Sequence, residues 1–383
     1  MARAEVPLEQ AFPVVEEPVS DVGQMSQWRL MVLRFSRNKL AMIGFVGLII
    51  MYLLVFLGGF IAPNDYMYQN KDYVFGGPTP ITFIGPGERF SLQPYTYDIV
   101  TELNPDTFKF EFKEDRTKLI PIHFFVKGDS YTVLGFIRSN IHLFGIEGGR
   151  RIYPVGADGL GRDVFARILT GGQISMTVGL VGVALSLLFG SILGTISGFY
   201  GGAVDDVMQR IIEVLQSFPT VPLWAAIAAA LPPISQTFTG IDRYFLITVI
   251  LSILGWTGLA RQLRAKVMAY RSADFTQAAL AAGSSDLRIV FVHMVPNAAS
   301  HIIVVAALAI PDMILGETAL SFLGLGILPP LVSWGSLLRD AQQVSVVTQH
   351  PWLMIPGIAV ILTVLFFSFL GDGLRDAVDP YSI

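Results

Sequence analysis

The 383-residue sequence contains no cysteine, so disulfides, thiolate zinc sites and cysteine-held iron–sulfur clusters are excluded. Charge is scarce as well: Asp, Glu, Lys and Arg make up 15% of the chain, against roughly 25% in soluble domains. No G-x-x-x-x-G-K-[ST] phosphate loop occurs, so the chain is not expected to hydrolyse ATP itself. Neither H-E-x-x-H nor G-x-S-x-G is present, and the five histidines (His123, His142, His293, His301, His350) are scattered. His293 and His301 are too far apart for an i, i+4 metal pair, and no metal site or catalytic residue is expected. No basic stripe interleaved with aromatics points to nucleic acid. The N-terminus lacks the basic, apolar, small-residue order of a cleavable signal peptide.

Apolar residues fill the space that charge leaves. They form 52% of the chain, the mean hydropathy is +0.58, and the composition is that of an all-α polytopic membrane protein. Residues 1–24 are proline-rich and acidic and are expected to be a disordered tail. Residues 25–39 set Trp28, Leu30, Val32, Leu33 and Phe35 among Arg29, Arg34, Arg37 and Lys39, the pattern of an amphipathic helix lying at the membrane interface. Its basic flank places the N-terminus in the cytoplasm. Residues 40–64 are free of basic residues and acidic residues and long enough for a first span. Five more are expected at about 174–198, 207–231, 244–260, 298–319 and 352–371. Six spans return the C-terminus to the cytoplasm. Pro219 and Pro222 should break or kink the third span.

Between the first two spans, residues 65–155 form a β-rich insertion on the opposite side of the membrane. Phe108, Phe110 and Phe112 alternate with Lys109, Glu111 and Lys113, the period of a half-buried strand. A turn at Glu114-Asp115-Arg116, a strand over Leu119–Val126, a turn at Gly128-Asp129 and a third strand over Tyr131–Phe136 complete the reading.

The residues that organise the rest lie in Asp274–Asn297, a polar island between apolar segments and within a cytoplasmic loop, 263–297. Gly283 ends a first short helix; a second starts near Asp286 and is expected to stop at Pro296. Lys and Arg residues in and before the loop put it on the cytoplasmic side, in agreement with counting spans. Elsewhere, Gly182, Ser186, Gly190, Gly194 and Gly198, each four residues from the last, make a flat stripe for close helix packing. Gly161-Arg162-Asp163 sets opposite charges side by side at a membrane boundary, the pattern of a cap or clamp ahead of the second span. Asp312 and Glu317 interrupt an apolar run, where an unpaired carboxylate costs several kcal/mol, so each should face a partner, a water-filled path or a neighbouring subunit. Carboxylates in the membrane are too few to favour a cationic solute.

The run Gln277-Ala278-Ala279, three residues, Gly283, nine residues, then His293-Met294-Val295-Pro296 resembles the EAA loop of bacterial ABC importer permeases. It departs from that pattern at Gln277, where an acidic residue is usual, and at His293. Gly156-Ala157-Asp158-Gly159-Leu160-Gly161-Arg162-Asp163, Gly198-Phe199-Tyr200-Gly201-Gly202 followed by Asp205 and Ser217-Phe218-Pro219, Gly316–Gly326, Ser333-Trp334-Gly335 and Gly371–Asp376 are similar to signatures of the oligopeptide/dipeptide/nickel branch, C-type subunit. The resemblance implies the six-helix fold of type I ABC importers. It implies a coupling loop (Asp274, Gln277, Ala278, Ala279, Gly283, Asp286, Arg288, Pro296) that docks on ATPase subunits. The expected partners are a second, homologous permease, two ATP-binding subunits using ATP and Mg, a periplasmic solute-binding protein and membrane lipid; the chain itself binds no cofactor. Peptides are the default solute, with an oligosaccharide as the alternative. A gradient-driven secondary transporter would show inverted repeats, and none is evident.

Overall fold

A computed structural model describes residues 27–86, 89–103, 105, 110–133 and 137–378; the tail expected over residues 1–24 and the segment holding Phe108 and Lys109 lie outside the described residues. Helix α1 (Gln27–Arg37) ends in Arg34 and Arg37, cations that suit the negative end of a helix. Asn38 then caps α2 (Lys39–Phe56), its side chain accepting the Ala41 N–H at 3.2 Å. α2 buries Ala41, Gly44, Leu48 and Val55. It leaves Ile43, Val46, Ile50 and Leu53 exposed, a face suited to hydrocarbon rather than water. One further turn, α3 (Gly58–Ile61), carries the chain to the insertion.

Among the described residues, the insertion holds five strands in two antiparallel sheets rather than the three strands expected. β1 (Ile81–Ile84), β2 (Phe90–Leu103) and β3 (Phe110–Pro121) pair in the order β1-β2-β3; β4 (His123–Val133) pairs with β5 (Ile137–Gly145). Neither expected turn reverses the chain. The register jumps from Tyr97↔Leu119 to Asp98↔Asp115, so residues 116–118 bulge out of β3, where the Asp115 carboxylate accepts the Thr117 N–H at 3.1 Å. Gly128-Asp129 likewise falls in a bulge within β4, between Lys127 and Tyr131. Turn-forming residues bend a strand instead of ending it when the partner strand continues. The expected strand over Leu119–Val126 is divided, because β3 stops at Pro121 and the Ile122 N–H crosses to the Pro94 carbonyl. The two ends of the insertion meet: the Thr79 N–H donates to the Tyr153 carbonyl at 2.8 Å, and the Tyr153 N–H to the Thr79 hydroxyl at 2.9 Å.

α4 (Val164–Tyr200) runs for 37 residues, about 55 Å at 1.5 Å per residue, well past the expected 174–198. Where one third span was expected there are two helices, α5 (Gly202–Gln216) and α6 (Thr220–Ala229), bent by 80°. Pro219 is the N-cap of α6 and Pro222 sits in its first turn, where a missing N–H is harmless. α7 (Gly240–Arg271) opens with a reciprocal cap between Thr239 and Asp242. After it come α8 (Asp274–Ala281), α9 (Asp286–Arg288), a π-helical stretch at Ile289–Met294 and α10 (Val295–Phe322). Pro296 does not halt the helix as expected. The wider π turn before it lets Asp286–Phe322 run on without a break. α11 (Trp334–Arg339), α12 (Val344–Gln349) and α13 (Ile355–Val378) finish the chain.

Among the described residues, five helices are long and apolar enough to cross a membrane, six if α5 and α6 together form one span. The main core lies between α4, α6, α7 and α10, around Val178, Trp224, Leu251 and Ile314. The sheets sit by the N-terminal end of α4; α8 and α9 follow α7, beside the other end of α4, where Gly198 meets Arg264 and Val267.

Candidate functional site

Beyond the end of α7, α8 and α9 form a short two-helix knuckle. Thr276 and Ala279 are buried against a cluster of Leu263, Val267, Ile289, Val290, Met294 and Ala298, which anchors the knuckle to both α7 and α10. Its outer side is apolar without a cover: Leu287 is 67% exposed, Phe291 56% and Leu280 46%. Asp274, Ala278, Asp286, Arg288 and Pro296 are exposed as well. Gly283 makes the bend. It sits at φ +77°, with its N–H on the Leu280 carbonyl (2.9 Å) and the Ser284 N–H on the Ala279 carbonyl (3.0 Å), a Schellman cap for α8. Gln277, though exposed, reaches back and donates to the Arg271 carbonyl at 2.8 Å, satisfying the last carbonyl of α7.

The small-residue stripe of α4 lies along α7. A Cβ on Gly194 would collide with the Ala260 backbone; one on Gly198 would lie 2.7 Å from the Arg264 carbonyl, and one on Gly190 2.9 Å from the Trp256 carbonyl. Gly182 approaches Met313 of α10, and the Ser186 hydroxyl donates to the Ser252 carbonyl at 3.4 Å. At the knuckle end, Arg264 of α7 clasps the Asp205 carboxylate of α5 through both Nε and a terminal nitrogen. The Ser197 hydroxyl of α4 donates to the same carboxylate at 2.5 Å. One carboxylate thus ties three helices just before the chain enters α8.

At the other end of α4, the neighbouring charges Arg162 and Asp163, expected as a cap or clamp ahead of the second span, do not pair with each other. Both residues have other partners: Arg162 Nε donates to Asp158 Oδ2 at 2.7 Å, and Arg167 lies 3.3 Å from the same oxygen. Asp158 also accepts the Leu160 and Arg162 N–H groups, so it is the hub of this loop. Asp163 caps α4 through the Phe165 N–H (2.9 Å) and accepts the Asn64 side-chain amide (2.9 Å). Full burial pushes its carboxyl up to about 7, against the pull of those donors. Gly161, at φ +70°, passes so close to the Asn70 carbonyl that no Cβ fits. The Asp129 carboxylate, in the β4 bulge, accepts both Arg151 terminal nitrogens (2.6 and 3.2 Å) and the Asp65 N–H (3.0 Å). Arg151 holds it below the usual carboxylate range, partial burial opposing.

The two carboxylates inside α10 differ. Glu317 is completely buried and accepts the Ser175 hydroxyl at 2.8 Å and the Ser321 hydroxyl at 2.5 Å. Those hydroxyls accept the Trp334 N–H (3.1 Å) and the Ile327 N–H (2.9 Å), so Glu317 secures both ends of the segment from 327 to 334. From the other side, buried Arg243 donates to the Gly326 carbonyl at 2.8 Å and the Leu325 carbonyl at 2.6 Å. Asp312 is exposed instead, and lines a cavity of about 290 Å³ between α4, α7 and α10. Among the described residues, no three metal-ligating side chains come together.

Residues 190–381 match the family described as "binding-protein-dependent transport system inner membrane component", and residues 26–78 match the N-terminal TM domain of oligopeptide transport permease C. The chain belongs to this permease family. Its relatives include the oligopeptide transport system permease protein OppC of Haemophilus influenzae, 40% identical over 59% of this chain and 69% of the relative. A dipeptide transport system permease of Alkalihalophilus pseudofirmus is 39% identical over 59% of this chain and 71% of its own length. A glutathione transport system permease of Pectobacterium atrosepticum is 36% identical over 61% and 74%. The protein is therefore a permease subunit of a binding-protein-dependent ABC importer.

Three polar centres of the permease were not singled out from sequence. Arg243 stands beside Asp242, one residue before the expected fourth span, and two of its three carbonyl partners lie more than 80 positions away. Asp158 and Arg264 carried signals, a place in the family-like Gly156–Asp163 stretch in one case and a basic helix end in the other, but their partners depend on how loops and helices meet.

Proposed function

We propose that this permease forms the membrane path of a peptide importer of the type I ABC kind. A second, homologous permease would complete the path, two ATP-binding subunits using ATP and Mg would drive it from the cytoplasm, and a periplasmic binding protein would deliver the solute. Oligopeptides or dipeptides are the solute that the relatives' names support. Both termini lie in the cytoplasm in this reading, with the insertion in the periplasm and the lipid-facing sides of α2 and α13 in the inner membrane.

The observation that carries the reading is the knuckle. An uncovered apolar tip on a polar protein surface marks a docking site, and this one is rooted in both α7 and α10. Coupling then has a physical route. Closure of the ATPase dimer pulls Asp274–Pro296; the shared cluster moves α7 and α10 with it, and the Asp205–Arg264 clasp carries α4 and α5 along. That is a two-state element biased by a ligand on another chain.

The test is to purify the tagged permease from its native host and assay the ATPase activity of what accompanies it, with Gly283→Asp as the control. Copurifying ATPases that are lost or uncoupled in the variant are expected. A chain recovered alone, with peptide flux indifferent to ATP, would overturn the reading.

A further inference from the structure

The cavity between α4, α7 and α10 contains a charge that the architecture does not explain. Asp312 lies ten residues before the end of α10 at Phe322, about 15 Å along the helix and so near the middle of a hydrocarbon layer roughly 30 Å thick. Glu317, five residues further on, is sealed in by hydroxyls; among the described residues Asp312 has no hydrogen-bond or ion-pair partner. Around it the cavity is lined by Ser186 of α4 and by Gly255, Gly258 and Gln262 of α7. Gly258 makes the room: nothing lies within 4 Å of a Cβ placed there, whereas one on Gly255 would lie 2.5 Å from Met313 and the Ser186 hydroxyl.

We propose that this cavity is a subsite for the ammonium group of a peptide in transit, with Asp312 as its counter-charge. The inference deepens the importer reading above and rests on it. A lone carboxylate at mid-membrane depth is costly until a cation joins it, so a positively charged guest is favoured and an anionic one repelled. One carboxylate is too few for a hard metal ion, which takes six or more oxygens. It matches one ammonium, while Gln262 and Ser186 supply neutral hydrogen-bonding groups for the peptide unit behind it. At about 290 Å³, the space sits near the lower end of small-ligand sites, roughly 300–1,000 Å³. It fits the amino-terminal end of a peptide rather than a whole chain. A subsite that holds only the end common to all unblocked peptides suits a carrier indifferent to side chains.

The absence of cysteine makes the test direct. In the purified complete importer, Gly258→Cys is treated with a cationic and an anionic methanethiosulfonate reagent, each rate normalised to a free thiol. The cationic reagent is expected to react about tenfold faster, and Asp312→Asn in the same background to bring the ratio near one. Tri-alanine should slow the labelling; N-acetyl-tri-alanine, lacking the ammonium, should not. No labelling by either reagent would mean that the partner permease seals the cavity, and the proposal fails. Labelling without charge preference, or equal protection by both peptides, overturns it as well. A failure of the importer reading is seen separately, as the absence of copurifying ATPases, since the charge ratio reads the cavity whatever drives transport.

Discussion

Gly283 is required by its backbone and not by space: φ is +77°, and nothing lies within 4 Å of a Cβ placed there. A side chain in that conformation costs about 1–2 kcal/mol, less for Asn than for other residues. Gly283→Ala should therefore raise the opening of the α8 cap by roughly 5- to 30-fold. Faster hydrogen exchange at the amides of Gly283 and Ser284 would report it, with overall melting unchanged and Gly283→Asn intermediate. Asp129 offers a second test. Its carboxyl is held low in the folded protein, so its stabilising effect is present above the ordinary value of 3.8 and is lost as pH falls through the lower folded value. The junction between insertion and helices should thus become protease-sensitive in acid, below about pH 4. Asp129→Asn should be sensitive already at neutral pH and show little further change on acidification.

At the scale of elements, α4 and α7 touch through backbone because α4 presents Gly190, Gly194 and Gly198 to Trp256–Val267. Close approach of this kind replaces a hydrophobic driving force that lipid does not supply. Gly194→Leu should force the pair apart at a cost of about 1–3 kcal/mol or more, seen as a lower melting temperature in detergent. Gly258→Ala, in open space on α7, should leave it unchanged. The segment after α10 is fixed differently, by Glu317 through two serines and by Arg243 through two carbonyls. Glu317→Leu would leave buried hydroxyls without an acceptor, at about 1–3 kcal/mol each. Faster exchange at Ile327 and Trp334 is the expected sign, and Glu317→Gln should restore much of the protection.

For the whole molecule, the insertion is an appendage on a closed neck. Thr79 and Tyr153 hold its ends together, and the family matches cover 26–78 and 190–381, leaving it outside both. Replacing residues 81–151 by a short Gly-Ser linker should leave the helical body folded, since chain ends already in contact make excision geometrically mild. Size-exclusion behaviour and helical content after excision would check this, and aggregation of the shortened chain would contradict it.

Much of this was legible in the chain as written. Long apolar runs can only be satisfied as helices in a bilayer, so α2, α4, α7, α10 and α13 were foreseeable, as were the break near Pro219 and the turn at Gly283. A stripe of small residues at four-residue spacing marked a packing face before its partner was known. What only the tertiary structure decided were pairings between distant positions: Asn64 on the Asp163 carboxylate, the Asp205–Arg264 clasp, and Arg243 on carbonyls of the segment after α10. Local signals also misled where the surroundings overrode them. Pro296 sits within a continuous helix because a π turn makes room for it, and two turn-like stretches became bulges because the neighbouring strands ran on. Periodicity and composition act over a few residues and fix elements; charges and backbone groups find partners across the fold, and the helix packing that brings them together is written in no single stretch of sequence.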